Sequence, residues 1–76
     1  MTTARKAYIV RDAEAGAGPG AVTQVYPYTL HSLAAALADA RSRSLRGAAQ
    51  VVVVMTDGKS KVIRRFEGGH DVTAPP

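Results

Sequence analysis

The sequence predicts an α+β fold in which one helix packs on one face of a four-stranded antiparallel sheet, with the elements in the order ββαββ. Residues 51–55 form an apolar, valine-rich run, and a second β-rich run follows the Asp57-Gly58 pair. Residues 29–46 carry apolar side chains at helical spacing, and two shorter β-rich runs precede them. A helix on a sheet is the simplest way to bury these apolar sides together.

The first hairpin is predicted from two short β-rich runs with a loop between them. Residues 6–12 and 21–26 supply the strands, because both are rich in β-branched and aromatic side chains. Pro27 ends the second strand and holds Tyr26 extended. Residues 13–20 contain three glycines and one proline, a composition that predicts a flexible loop.

The single helix is predicted at residues 29–46. Thr29 is a favourable N-cap, and Gly47 is a suitable C-terminal stop. Basic side chains in the last turns suit the negative end of the helix dipole. The stripe expected to face the sheet consists of Leu30, Leu33, Leu37 and Ala40, widened by Ala34.

The second hairpin, residues 50–66, has the strongest turn signal in the chain. Asp57-Gly58 predicts a two-residue type I′ turn, in which both central residues have positive φ, and this turn pairs Thr56 with Lys59. Alternation then sorts the side chains onto two faces. The face expected to meet the helix carries Val51, Val53, Met55, Val62 and Phe66. The opposite face is expected to carry Val52, Val54 and Ile63 beside Lys59, Lys61 and Arg65.

The composition limits what kind of protein this is. The 76 residues are expected to form a single small domain, residues 1–76, that ends in a frayed tail at residues 67–76. Without cysteine there are no disulfides and no thiolate metal ligands. No run is apolar enough for a signal peptide or a membrane span, so we expect a cytoplasmic protein that does not enter a membrane. A net charge of +4 and a pI of about 10.0 favour nucleic acid, or a protein surface that normally holds it, as partner.

No reaction is indicated by the glycine motifs or the titratable side chains. Gly58-Lys59-Ser60 resembles the end of a phosphate-binding loop, but a strand follows it instead of the helix that such a loop needs. No carboxylate or thiol is placed to complete a metal set with His31 or His70, and the His70-Asp71 pair has no serine placed to complete a catalytic triad. We therefore expect no enzyme activity, no catalytic residues, no metal and no cofactor.

A surface that is both basic and apolar is the strongest functional signal, because one face of the second hairpin has no cover in the predicted fold. The predicted partner-binding residues are Lys59, Lys61, Arg65, Val52, Val54, Ile63 and Arg11. The residues predicted to contact nucleic acid, if the chain binds it, are Arg41, Arg43, Arg46 and Arg64. The pattern leaves open whether the face meets an acidic target or a second copy in a homodimer. The charges also fit a surface that is only solvated.

A pattern of elements runs through residues 7–47. It consists of Ala7-Tyr8-Ile9-Val10-Arg11, a loop, Thr23-Gln24, Ser32-Leu33 and an alanine-rich helix that ends before Gly47. This pattern resembles that of certain anti-CRISPR proteins, which are small phage- or mobile-element-encoded inhibitors of type I CRISPR surveillance complexes. The resemblance implies a compact sheet-and-helix domain that docks on the repeated backbone subunit and blocks target DNA. It assigns no role to individual residues.

Two functions therefore stay open. The first is a non-catalytic inhibitor that docks on a protein–nucleic-acid complex and blocks target DNA binding by a type I surveillance complex. The alternative is a module that binds nucleic acid directly through basic patches on the sheet and at the helix end. Complex formation that depends on the basic face distinguishes the first function, and salt-dependent binding of DNA or RNA distinguishes the second.

Overall fold

In the computed structural model, which describes residues 4–13 and 22–73, one helix packs on one face of a five-stranded antiparallel sheet. The elements in chain order are β1 (Arg5–Asp12), β2 (Val22–Pro27), α1 (Leu30–Arg43), β3 (Ala49–Met55), β4 (Ser60–Glu67) and β5 (His70–Asp71). The strands lie in the order β2-β1-β3-β4-β5. The predicted α+β class is confirmed. The sheet has one short strand more than predicted, so the chain order is ββαβββ instead of ββαββ.

Strands β1 and β3 form the middle of the sheet, which explains why both carry apolar residues on both faces. β1 pairs with β3 along the whole length of both strands. Val51, Val52 and Val53 are all buried in β3, as are Tyr8 and Val10 in β1. A strand with a neighbour on each side has its side chains shielded by cross-strand partners, so these two runs can be apolar throughout.

The core between α1 and the sheet places small helix residues over larger strand residues. Ala36 and Ala40 are fully buried on the helix, and Leu33 and Leu37 pack at the flanks of the same stripe. The strand residues beneath them are Tyr8, Val10, Val51, Val53 and Phe66. Alanines at the centre of the stripe leave room for these larger strand side chains under the helix axis.

Leu30, predicted to face the sheet, is 87% exposed, and this prediction is wrong. The buried stripe is centred between Leu33 and Ala36 instead. At about 100° per residue, Leu30 lies roughly 90° away from the middle of that stripe. It also lies in the first turn of α1, whose start is fixed by the predicted N-cap: Thr29 Oγ1 accepts a hydrogen bond from the backbone N of Ser32 at 3.0 Å.

The end of α1 is fixed by Ser44, three residues before the predicted stop at Gly47. Ser44 is 2% exposed. Its Oγ donates to the carbonyl of Arg41 at 2.6 Å and accepts from the backbone N of Gly69 at 2.8 Å. Its carbonyl accepts from the backbone N of Gly68 at 2.9 Å. Ser44 therefore joins the helix end to the turn between β4 and β5.

The β3–β4 turn contains three residues, so the predicted two-residue type I′ turn is wrong. Met55 donates from its backbone N to the carbonyl of Lys59 at 2.8 Å, and Gly58 donates to the carbonyl of Met55 at 3.0 Å. Gly58 has φ of 88°, whereas Asp57 does not have positive φ. This is a type I turn followed by a residue in the left-handed region, the usual three-residue hairpin.

Ile63 is an extra residue in β4 that shifts the β3–β4 register by one residue, in addition to the shift caused by the three-residue turn. Near the turn, Val52 lies opposite Val62, but Val51 lies opposite Arg64. Such a β-bulge sets two residues of one strand against one of the other. The predicted pairing of Val51 with Arg64 is therefore confirmed, while the predicted pairs closer to the turn are each displaced by one residue.

The residues predicted as a frayed tail begin inside β4 and continue into β5. A two-residue turn joins these strands through Gly68 and Gly69, with φ of 58° and 84°. Two consecutive positive φ values are the requirement of a type I′ turn, so this turn type occurs here and not at Asp57-Gly58. Residues 74–76 of the predicted tail, and residues 14–20 of the predicted loop, lie outside the described residues.

Across residues 4–13 and 22–73, no helix combines the length and the apolar character that crossing a membrane requires.

Replacing Ser44 by alanine should lower the free energy of unfolding by roughly 1–3 kcal/mol, because the half-buried backbone N–H of Gly69 loses its acceptor. Urea unfolding followed by far-ultraviolet circular dichroism measures the change. The matched control is Ser42→Ala, an exposed position in the same helix, where we expect a change within about 0.5 kcal/mol. Equal effects of the two substitutions would show that the Ser44 contacts do not stabilise the fold.

Candidate functional site

The sheet face opposite α1 has no helix or strand of the described residues over it, and we call it the open face. Tyr8, Val10, Val51 and Val53 pack on the α1 side, so the alternate residues of β1 and β3 point to the open face. Strand register arranges the open-face residues in three rows across the sheet. These are Pro27, Ala7, Val54 and Ser60; then Val25, Ile9, Val52 and Val62, the aliphatic row; then Arg11, Gln50 and Arg65, the polar row.

The aliphatic row is continuous across four strands. Val25 lies opposite Ile9, Ile9 opposite Val52, and Val52 opposite Val62. Val52, which lies between Ile9 and Val62, is only 2% exposed. Val25 and Val62, at the two ends, are 57% and 40% exposed. A contiguous apolar strip of this kind on a small protein is typical of a contact surface.

The polar row runs beside the aliphatic row and is ordered by hydrogen bonds. Arg11 donates from Nε to Oε1 of Gln50 at 3.1 Å, which links β1 to β3. On β4, Arg65 donates from Nε to Oε2 of Glu67 at 2.8 Å. Glu67 offsets the charge of Arg65, whereas Gln50 is neutral and leaves the charge of Arg11 in place. The open face therefore has an aliphatic centre and a positively charged margin.

Four of the predicted partner-binding residues lie on the open face: Arg11, Val52, Val54 and Arg65. Arg11, Val54 and Arg65 are half-buried and can reach a partner. Val52 has almost no exposed surface, so it supports its neighbours in the row and offers little contact area of its own. Binding by any of these residues stays a prediction.

The other three predicted partner-binding residues lie elsewhere, and their placement on one face is wrong. Ile63 packs against the core on the α1 side. Lys61 lies opposite Val53, which also places it on the α1 side. Lys59 is exposed at the end of the β3–β4 turn. A one-residue slip moves side chains to the other face of a strand, and here the three-residue turn and the bulge each produce such a slip.

The open face also contains residues that sequence reasoning missed, namely Ile9, Val25 and Val62. A two-residue turn predicts that Val62 faces the helix, whereas the three-residue turn places Val62 on the open face. Ile9 and Val25 belong to strands that alternate imperfectly, so the pattern showed apolar character on both faces. It did not show that β1 would be central and would align Ile9 with Val25 and Val52.

Three of the four arginines predicted to contact nucleic acid interact within the chain. Arg43 pairs with Asp39 at 2.7 Å, one helical turn away. The guanidinium of Arg41 lies over the ring of Phe66, 5.5 Å from its centroid. Arg64 has its Nε 3.8 Å from a carboxylate oxygen of Asp71. Arg46 is exposed after the helix end. These four residues lie at the helix end and on β4, and they do not extend the open face.

The described residues contain no group of three or more His, Asp or Glu side chains that could hold a metal ion. His31 is exposed in the first turns of α1, and His70 is exposed at the start of β5. The structure does not bring the two histidines into a shared site.

Three tyrosines near α1 have side-chain contacts that shift their pKa values in different directions. Arg5 donates from its guanidinium to the hydroxyl of Tyr28 at 2.7 Å, and this cation lowers the pKa of Tyr28. Burial raises the pKa of Tyr8, whose ring lies 5.0 Å from that of Tyr28 between centroids. Tyr26 donates to Asp39 at 2.9 Å, and this bond raises the pKa of Tyr26 because it stabilises the neutral phenol.

An ultraviolet-absorbance titration of the folded protein should therefore show Tyr28 ionising first, below the pH at which Tyr8 and Tyr26 ionise. Tyr28→Phe should remove this first phase. Arg5→Gln should move the phase to higher pH, because the phenolate loses its adjacent cation. Tyr26→Phe is the control and should remove a later phase only. A first phase that keeps its midpoint in Arg5→Gln would contradict this assignment.

Protein-family models, curated proteins and solved structures gave no match to the chain. The geometry of the open face is therefore the basis for assigning a function.

Proposed function

We propose that this chain is a non-catalytic binding protein that docks through its open face on a protein–nucleic-acid complex. The observation that carries the proposal is the aliphatic row, which crosses four strands with the polar row directly beside it. The two ends of the aliphatic row are well exposed, and no helix or strand of the described residues covers them. Covering this strip by a partner would remove apolar surface from water, the main driving force of association.

The charge distribution favours an acidic partner over a second copy of the chain. Arg11 brings to the margin of the open face a positive charge whose hydrogen-bond partner Gln50 is neutral, and the whole chain carries a net charge of +4. Two copies would repel each other over long distance, whereas an acidic protein surface would be attracted and oriented. In a protein–nucleic-acid complex, the phosphates supply negative charge beside protein surface, which suits a face with both cations and an aliphatic row.

The size of the open face fits the centre of an interface. Strands lie about 4.8 Å apart and alternate residues about 6.6 Å apart, so three rows on four strands span roughly 20 Å in each direction. The open face therefore has an area of about 400 Å², which is roughly half of the 800 Å² that one partner contributes to a standard interface. Exposed cations next to the face, such as Lys59 at the hairpin turn, would supply part of the rim.

The finer proposal is that the partner is a type I CRISPR surveillance complex and that docking blocks its target DNA. Its support is the pattern resemblance of residues 7–47 to certain anti-CRISPR proteins, together with a small charged surface that has an aliphatic centre. On this proposal the chain acts by occupancy, as a cytoplasmic inhibitor without catalytic residues or a cofactor.

The alternative, direct binding of nucleic acid, is favoured by one observation: Lys59 and Arg46 are exposed cations for which the described residues show no ion pair. Cations that are not held by a carboxylate can neutralise phosphates and release counterions. Binding of this kind would weaken steeply as salt rises, which makes it easy to recognise.

Val62→Glu should weaken binding to the partner complex at least about tenfold, because it puts a carboxylate into the apolar contact strip, where it costs desolvation and repels an acidic partner surface. Leu30→Glu is the matched control: it introduces the same charge at a highly exposed apolar residue on α1, away from the open face, and should leave affinity unchanged. Biolayer interferometry with a purified type I surveillance complex measures both, after circular dichroism has shown that the variants are folded.

These binding measurements test the docking surface and the identity of the partner separately. Equal affinity of Val62→Glu and the unsubstituted chain would reject the open face as the docking surface. No binding to the surveillance complex would reject that partner. Salt-dependent binding of DNA by the isolated chain, measured by fluorescence anisotropy at two salt concentrations, would favour the alternative instead.

A further inference from the structure

We propose that a cleft on the α1 side of the sheet binds a small carboxylate ligand with an apolar body, such as an arylalkanoate. The cleft has a volume of about 250 Å³. It is lined by Arg5, Tyr8, Leu33, Leu37, Val53, Ile63 and Arg64. This site lies on the face of the sheet opposite to the open face, so the proposal is independent of the function proposed above.

The floor and walls of the cleft are apolar. Tyr8 and Val53 are buried strand residues at the floor, and Leu33 and Leu37 approach from α1. Ile63 closes the side formed by β4. A cavity of about 150 Å³ with such a lining is large enough for benzene. The cleft therefore has room for one aromatic ring and a short chain that carries a charged group.

Two arginines supply the positive charge of the cleft. Arg5 donates to the hydroxyl of Tyr28 at 2.7 Å and keeps further N–H donors for a ligand. Arg64 donates from one terminal nitrogen to the carbonyl of its neighbour Ile63 at 2.8 Å. Its Nε lies 3.8 Å from Asp71, which offsets part of its charge. Guanidinium groups match the planar geometry of a carboxylate.

Register shifts in two strands place these side chains at the cleft. The pairing of β1 with β3 shifts between Arg5 and Ala7, so that Lys6 has no residue opposite it in β3. As a result, Arg5 lies on the same face of the sheet as Tyr8. In β4 the extra residue is Ile63, so that Ile63 and Arg64 both reach the α1 side. Bulges are frequent next to binding sites because they redirect a side chain. Here two separate bulges direct residues to one cleft.

The balance of charge and apolar lining selects the ligand class. Two arginines with one partly compensating aspartate suit a single negative charge better than a dianionic phosphate. The apolar floor gives no hydrogen bonds to a strongly hydrated ion, whereas it would bury the ring or chain of an amphipathic carboxylate. We therefore expect recognition of a monoanion whose apolar part enters first and whose carboxylate stays at the arginines.

Methyl-detected NMR titration with 3-phenylpropanoate at pH 7 tests the proposal on the full chain. We expect saturable shifts of the methyl groups of Leu33, Leu37, Val53 and Ile63, with a Kd in the millimolar range or tighter, which is reasonable for about eleven non-hydrogen atoms. The neutral 3-phenylpropanamide should bind more weakly by a factor of at least about five, since it lacks the charge that both arginines contact. Acetate, which lacks the apolar body, should not saturate these shifts.

Arg5→Gln and Arg64→Gln should each weaken the propanoate about fivefold and leave the amide unchanged. Lys59→Gln removes the same charge from the exposed turn and should change neither. Arg64 is half exposed, so its variant keeps the test valid if Arg5→Gln disturbs the fold. Absence of saturable shifts up to about 10 mM probe, equal binding of acid and amide, or equal weakening by Lys59→Gln would overturn the proposal.

Discussion

Two single-residue register shifts decide which side chains reach each face of the sheet. Strict alternation counted from Ala7 in β1 and from Arg65 in β4, both on the open face, would place Arg5 and Ile63 on the open face as well. In the structure, each strand contains one extra residue, Lys6 in β1 and Ile63 in β4. Because of these extra residues, Arg5 and Ile63 lie on the α1 side. Without these shifts the cleft would lose a cation and an apolar wall, and the open face would lose its clear separation into an aliphatic and a polar row. The surfaces that this chain offers to partners therefore depend on irregularities in strand pairing, which change side-chain direction without changing the fold.

A second constraint acts at the far end of the sheet, where Ser44 accepts and donates hydrogen bonds between the helix end and the Gly68-Gly69 turn. A type I′ turn of two glycines has little rigidity of its own, because glycine has many accessible backbone conformations in the unfolded chain. Bonds from both glycine N–H groups to one buried serine compensate for this. They allow the chain to turn back and form β5 beside β4, and Val72 then donates from its backbone N to the carbonyl of Arg65 at 2.8 Å.

The elements of the fold could be predicted from local pattern, but the faces of the second hairpin could not. The valine run, the helix stripe and the Thr29 cap are local signals, and each led to the correct element. The side on which Val62 and Ile63 lie depends on the turn type and on a bulge, and one residue of error in either reverses the assignment. Asp-Gly is compatible with both the two-residue and the three-residue turn. The C-terminal strand was missed because its support is Ser44, 24 residues before Gly68, which no local pattern indicates.

The way in which the cations are held bears on what kind of partner the chain suits. A surface that binds nucleic acid without sequence preference needs lysines and arginines that are free to follow phosphates. In the described residues Arg43 and Arg65 are each paired with a carboxylate within 2.8 Å, and Arg41 is engaged with an aromatic ring. If these arginines moved to contact phosphate, their present contacts would break, and the net free energy gained on binding nucleic acid would be smaller. An ordered arginine beside an aliphatic row, in contrast, has little side-chain entropy left to lose when a protein surface of matching shape and charge docks on it. On the open face itself, Arg11 and Arg65 are each held by a side-chain hydrogen bond, so this face is better suited to a protein than to a nucleic-acid backbone.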